Sequence, residues 1–256
     1  MSWSPTQYSK FEAERSRPVK DLVAQISNKM VAHAADIGCG PGNSTELLQT
    51  QFPDATIVGI DNSPEMIEAA RKRLPTNCFE VDDISTWRSP GPFDVILSNA
   101  ALQWVPDHAA LLPRLLAKLA PAGSLAVQVP DSLDELPHRL MREVAAGGTW
   151  ASRLAAAPRV LDSRHGAEWY YRLLRDEGAI VNIWRTTYFH QLPGGAAAIV
   201  KWFKGSGLRP FLALLDAAER YAFLAQYEAL LARAYPASPD GTVLLPFPRL
   251  FFVATR

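Results

Sequence analysis

Cysteine is scarce in this chain: there are two in 256 residues, Cys39 and Cys78, and they form no CxxC pair. That spacing supports no zinc site, so no metal is expected, and both thiols read as free and buried in a reducing compartment. Net charge is also lacking, with 26 Lys and Arg against 26 Asp and Glu. A nucleic-acid surface needs a basic excess, so nucleic acid is not expected as a partner. No apolar run reaches membrane-spanning length, and Met1-Ser2-Trp3-Ser4-Pro5 has neither the basic nor the apolar region of a signal peptide. A soluble cytoplasmic protein with no membrane partner is expected, its oligomeric state open and a monomer allowed. GxSxG and HExxH are missing, which removes two familiar marks of hydrolytic chemistry. Internal repeats and low-complexity linkers are missing too.

What is present is a chain 48% hydrophobic, long enough for one α/β domain with an added subdomain. Its most informative stretch is Asp36-Ile37-Gly38-Cys39-Gly40-Pro41-Gly42, between a hydrophobic run and the helix start Asn43-Ser44-Thr45-Glu46. Three glycines in five positions let the backbone turn sharply and let a ligand lie against bare main chain. The dinucleotide fingerprint GxGxxG needs glycine at position 43, where Asn43 stands, which disfavours a nicotinamide-dependent dehydrogenase.

Strands are expected near 31–37, 56–60, 78–81, 93–99 and 124–129, with helices between them. Ser63 reads as a cap and Pro64 as the first helical residue, while Pro18 is placed in the first turn of an N-terminal helix whose buried face is Val19, Leu22, Val23 and Ile26. A further helix is interrupted or begun at Pro113. Five such βα units give a doubly wound parallel sheet, with the ligand beyond the carboxyl ends of the strands. Those ends carry the glycine turn, Asp61, Asp82-Asp83 and Asn99. After Pro130 the pattern alternates between helical blocks and two β-rich runs, 180–192 and 242–255. Pro246 and Pro248 inside the last run suggest an edge, a bulge or a bend.

The glycine turn with its leading Asp36 resembles motif I of class I S-adenosylmethionine (SAM) methyltransferases, and the order of the four polar clusters extends the likeness over about 30–130. That resemblance implies an α/β, Rossmann-like fold: a doubly wound, seven-stranded, mostly parallel sheet whose last strand is antiparallel, with a helical substrate-binding insertion. It implies one domain over 1–256. Within it, 30–130 is the cofactor-binding core, 131–168 and 194–240 are helical insertions, and 1–29 is a segment that could close as a lid.

The same resemblance implies SAM as cofactor and S-adenosylhomocysteine as product. Asp36, Gly38, Gly40 and Gly42 then face the methionine tail, and Asn99 meets its ammonium. Asp61 accepts from the ribose hydroxyls, a role it would equally play for NAD. Asp83 and Ile84 meet the adenine edge, with Asp82 the alternative partner because strand phase is open by one residue. Each has a plainer reading: Asp61 as part of a helix cap, Asp82 and Asp83 as turn residues.

Flanking words carry the likeness further. Ala13-Glu14-Arg15-Ser16-Arg17-Pro18, Leu102-Gln103-Trp104-Val105-Pro106-Asp107, Met141-Arg142-Glu143-Val144, Ile183-Trp184-Arg185-Thr186-Thr187-Tyr188, Gly207-Leu208-Arg209-Pro210 and Pro248-Arg249-Leu250-Phe251 resemble the members of that family that methylate a carboxylate of trans-aconitate. The segment 147–164 matches least. A small anionic tricarboxylate is then the expected partner. Arginine forks match carboxylates, so Arg15, Arg17, Arg185, Arg209 and Arg249 are candidate anchors, with Tyr8, Tyr188, His190, Gln103 and Trp104 as donors or walls. For each arginine the plainer alternative is a solvated residue or a structural ion pair, and for His190 a structural histidine. A carboxylate acceptor is ionised at neutral pH, so no catalytic base is expected. A methyltransferase acting on another small molecule, such as a quinone precursor, and a non-catalytic SAM-binding regulator also fit the residues.

Overall fold

The computed structural model describes residues 12–89, 91–155, 157 and 165–256. Five strands alternate with helices as the sequence pattern requires: β1 (His33–Ile37), β2 (Thr56–Asp61), β3 (Cys78–Val81), β4 (Phe93–Asn99) and β5 (Leu119–Pro130). They pair in parallel, β3 on β2, β2 on β1, β1 on β4 and β4 on β5. Adding β6 (Ile180–Pro193) and β7 (Thr242–Thr255) completes a seven-stranded sheet of order β3-β2-β1-β4-β5-β7-β6. The Ala122 N–H donates to Arg256 O, the Arg256 N–H donates to Gly123 O, and Ser124 Oγ lies 3.0 Å from Thr255 Oγ1. β7 therefore runs antiparallel to β5. The order reverses at β1, so the crevice between the ends of β1 and β4 is the switch point at which doubly wound sheets bind ligands.

Two compact units divide the chain. One is made of the described residues of 1–130, 163–186 and 250–256. Its central strands β1 and β4 are buried almost throughout, as parallel strands covered on both faces must be. Around them lie α1 (Glu12–Val23), α2 (Asn43–Gln51), α3 (Pro64–Arg73), α4 (His108–Ala117) and α7 (Ala167–Asp176). The Ser63 hydroxyl accepts from the Met66 N–H across α3's first turn, Pro64 follows it, and Arg71, Lys72 and Arg73 close the helix at its negative end. The second unit takes the described residues of 131–162 and 187–249. It holds α5 (Leu136–Ala146), short α6 (Ala151–Leu154), α8 (Gly195–Lys204), short α9 (Arg209–Leu212) and α10 (Ala217–Ala234). A capping box between Asp216 and Glu219 starts α10, and Phe223, Tyr227 and Leu231, spaced by about one turn, form its buried face.

The structure corrects several expectations. Pro18 lies inside α1 rather than in its first turn. The lost backbone hydrogen bond and the ring's clash with the preceding turn together cost about 3 kcal/mol. Burying Val19, Leu22 and Val23 outweighs this at roughly 1.5–3 kcal/mol for each fully buried side chain. Pro113 likewise sits within α4 without ending it. β5 begins before the Pro121-Ala122-Gly123 turn, with a register irregularity opposite Phe93 and Val95. Cys78 is exposed, not buried, whereas Cys39 is buried against Ile67, Ala70 and Phe79.

β7 is an interior strand, so the edge reading of Pro246 and Pro248 is wrong. The Asp131 N–H donates to Pro248 O just past the end of β5. β5 ends at Pro130, so Pro248 falls at the close of that pairing and Pro246 beyond it, where a missing N–H is tolerated.

Candidate active site

Sheet register brings the predicted cofactor residues to the carboxyl ends of neighbouring strands in the first unit, with Asp61 and Asn99 two residues beyond the level of Asp36. Asp36 pairs with Gly59 and Leu97, Asp61 with Val81, and Asn99 with Gln128. The glycine turn is pinned to β2 by Gly38 and Cys39, whose N–H groups both donate to Ile60 O at 2.7 and 2.9 Å. Asp61 reinforces this link: its Oδ2 accepts from the Gly40 N–H at 3.0 Å and its Oδ1 from the Ser63 N–H at 2.9 Å. Part of its carboxylate therefore braces the turn and the start of α3, and burial raises its pKa. Gly38 and Gly42 hold φ of 78° and 90°. A Cβ on Gly38 would stand 2.2 Å from Ala101 Cβ, whereas around Gly40 the corresponding space is open.

Asp36 is fully buried. Its Oδ2 accepts from Ser44 Oγ and Thr45 Oγ1, each at 2.7 Å. Neither hydroxyl stands out in the sequence, where both read as helix-start residues. Side chains in a first helical turn lean toward the N-terminus, and here that direction leads back to the end of β1. Burial pushes the Asp36 carboxyl up to about 6; the two hydroxyl bonds pull it down and neighbouring Asp61 pushes it up. Asp36 Oδ1, Asn43 Oδ1 and Asn99 Oδ1 are buried acceptor atoms with no hydrogen-bond partner among the described residues. Three orphaned acceptors around bare glycine backbone, one of them on a carboxyl, suit a compact cationic donor such as an ammonium.

Ile84 is buried, with its Cδ1 3.4 Å from the Cβ position of Gly38. Asp83 is exposed, and its Oδ1 accepts from the Ser85 N–H and Oγ at 2.8 and 2.6 Å. Asp82 Oδ1 accepts from the Asp83 N–H at 2.7 Å. Both aspartates thus take part in turn geometry, as the plainer reading supposed.

The acceptor candidates divide between the units. Arg17, Gln103, Trp104 and Arg185 belong to the first; Tyr188, His190, Arg209 and Arg249 belong to the second. Tyr8 and the Arg15 side chain lie outside what is described. Gln103 and Trp104 share the short 3₁₀ turn Leu102–Trp104, which follows directly on Ala101, the residue packed on Gly38. Arg17 and Arg185 are exposed. In the second unit Arg249 is 4% exposed and its guanidinium carbon lies 5.1 Å over the Phe247 ring. His190 packs between Trp202 and Phe247 at 4.4 and 5.5 Å, Tyr188 is buried, and Arg209 is half-buried with its pKa lowered by burial.

Comparison with known proteins gives the family. A methyltransferase domain model matches residues 11–193. Trans-aconitate 2-methyltransferase of Methylobacterium nodulans is 52% identical over 99% of this chain and 98% of its own. The protein of that name from Yersinia pestis is 51% identical over 98% and 97%. Among solved structures, Haemonchus contortus phosphoethanolamine N-methyltransferase 2 in complex with S-adenosyl-L-methionine superposes with a TM-score of 0.54 at 16% identity, over 94% of this chain and 52% of that one. No helix among the described residues is long and apolar enough to cross a membrane. Identity above half along nearly the whole length, on a sheet of this order, places the chain in the methyltransferase family, beside the members that bear the name trans-aconitate 2-methyltransferase.

Proposed function

We propose that this protein transfers a methyl group from SAM to a carboxylate of trans-aconitate, giving a monomethyl ester and S-adenosylhomocysteine. The observation that carries this reading is the span of the likeness: an alignment of 52% overall identity covers the helical second unit as well as the glycine turn. A cofactor half alone would have given the cofactor and left the acceptor open.

SAM supplies a methyl group on a positively charged sulfur. The residues present fit its tail: Asp36 Oδ1 and Asn99 Oδ1, both buried, would accept from the ammonium, with Asn43 Oδ1 beside them. Asp61 would accept from the ribose hydroxyls with the lone pairs that Gly40 and Ser63 leave. Asp83 and Ile84 would flank the adenine. In the acceptor half, Arg17, Arg185, Arg209 and Arg249, with Tyr8 and Tyr188, would neutralise and orient carboxylates, and Gln103 and Trp104 would wall the site. The acceptor is already an anion, so the protein's part is alignment and exclusion of water, and no residue is assigned as a proton acceptor.

The test is calorimetric titration with S-adenosylhomocysteine, then assay on trans-aconitate, cis-aconitate, isocitrate, citrate and a quinone precursor. Preference for trans-aconitate is expected; turnover of the quinone precursor alone would discard the reading. Arg185→Ala and Arg209→Ala should each raise KM for trans-aconitate about tenfold or more, the value of one charge-assisted hydrogen bond, with affinity for S-adenosylhomocysteine unchanged. Full activity in both variants would mean that the acceptor binds elsewhere.

Asp36 adds a pH dependence. Its pKa in the folded protein is raised from 3.8 to about 6, so its contribution to the stability of the ligand-free protein is complete below the lower value and is lost as pH rises through the higher. An ammonium bound at Oδ1 favours the ionised form and reverses that shift. Affinity for S-adenosylhomocysteine should therefore rise with pH through about 6, with proton release below it. Titration in buffers of different ionisation enthalpy reads the proton directly, and Asp36→Asn should abolish its release. Proton release that persists in Asp36→Asn would assign the titration to another group.

A further inference from the structure

His108, the first residue of α4, is 1% exposed and uses both ring nitrogens. Nε2 lies 2.8 Å from Leu102 O and Nδ1 lies 2.7 Å from the Tyr170 hydroxyl. A carbonyl only accepts, so Nε2 carries a proton. Burial holds the imidazole below its ordinary pKa against the opposing hydrogen bond to the Leu102 carbonyl; His165, 6.2 Å away between ring centres, acts with burial, and the Val105 carbonyl and Asp107 act against it. The ring is therefore neutral at neutral pH, and Nδ1 accepts from the Tyr170 O–H. Tyr170 is itself buried and packs on Phe252 at 5.4 Å.

The carbonyl that His108 holds begins the turn Leu102–Trp104. Leu102 O also accepts from the Val105 N–H at 2.9 Å, Trp104 N–H donates to Ala101 O at 3.0 Å, and Gln103 Nε2 donates to Ala100 O at 2.6 Å. One end of this segment abuts the glycine turn through Ala101 and Gly38. Next to it, the Leu102 carbonyl is tied through His108 to Tyr170 on α7.

We propose that His108, backed by Tyr170, is a positioning residue for methyl transfer: through the Leu102 carbonyl it fixes the turn that presents Gln103 and Trp104 to the acceptor. Both ring nitrogens are committed within the protein, so His108 acts through the turn and not on the acceptor. The proposal rests on the reading of Gln103 and Trp104 as the acceptor wall. The rival account is a core histidine that merely joins α4 to α7.

The test compares His108→Phe, His108→Gln and Tyr170→Phe with Gln103→Ala and Trp104→Ala, measuring KM for trans-aconitate, kcat, affinity for S-adenosylhomocysteine and Tm. His108→Phe should raise KM for trans-aconitate about tenfold while affinity for S-adenosylhomocysteine stays within about twofold, because the displaced groups face the acceptor. His108→Gln, whose amide can donate to Leu102 O, should recover most of that loss. Tyr170→Phe removes one oxygen, and a rise of about threefold in KM carries the test if His108→Phe does not fold. A lowered Tm with KM unmoved in His108→Phe, while Gln103→Ala or Trp104→Ala raises KM, overturns the proposal and leaves a core histidine. Normal KM in both wall variants overturns the acceptor-wall reading, and the positioning role with it.

Discussion

Gly38→Ala should severely weaken binding of S-adenosylhomocysteine in a chain that still folds. Two costs combine. The backbone at Gly38 has φ of 78°, a left-handed conformation that costs an L-residue with a Cβ about 1–2 kcal/mol. The larger cost is steric. The added Cβ would stand 2.2 Å from Ala101 Cβ, whereas carbon atoms pack at about 3.5–4.0 Å. Either the glycine turn or the loop starting at Ala101 must move by more than 1 Å, and both border the proposed cofactor tail. A loss of at least about a hundredfold in affinity is expected, since displacements of that size cost about as much in an aligned site. Adding Ala101→Gly to Gly38→Ala removes the clash but not the strain, so part of the affinity should return. Calorimetry gives the affinities, and circular dichroism shows that the chain remains folded. Binding within threefold of the parent by Gly38→Ala alone would show that the turn is not at the cofactor.

Asp61→Ala should raise KM for SAM roughly a hundredfold, about 3 kcal/mol. One part is the proposed ribose contact, since hydrogen bonds to a charged group contribute about 1.5–3 kcal/mol. The other is the loss of a brace: the Gly40 and Ser63 N–H groups, held at 3.0 and 2.9 Å, would both lose their acceptor. Asp61→Asn separates the two, because an amide oxygen can keep one N–H but presents its NH₂ to the other. Asp61 also pushes the Asp36 carboxyl up. In Asp61→Asn the pH at which cofactor binding fails should therefore move down from about 6. An unchanged KM in Asp61→Ala removes the ribose assignment.

Much of the cofactor half was readable along the chain, because its signals are local. Strand, glycine turn, helix and capped next helix follow one another without a long connection, and Ser63 and Pro64 act as the sequence pattern required. The prolines misled for the opposite reason. Pro18 and Pro113 have strong local meaning as helix starts, but burial of the surrounding apolar faces overrode it. The edge reading of Pro246 and Pro248 fails because strand order is not a local property; their tolerance depends on where β5 ends.

The sequence by itself determined the fold class, the glycine turn and the set of polar residues at the strand ends, since hydrophobic periodicity and backbone freedom act between near neighbours. Tertiary structure alone decided what those residues do to one another. It gave Asp36 the Ser44 and Thr45 hydroxyls and a raised pKa, turned Asp61 into a brace for Gly40, set Ala101 against Gly38, and joined His108 to Leu102 and Tyr170. Hydrogen bonds and steric contacts act over a few ångströms of space, and only the folded register brings residues as far apart as 108 and 170 within that range.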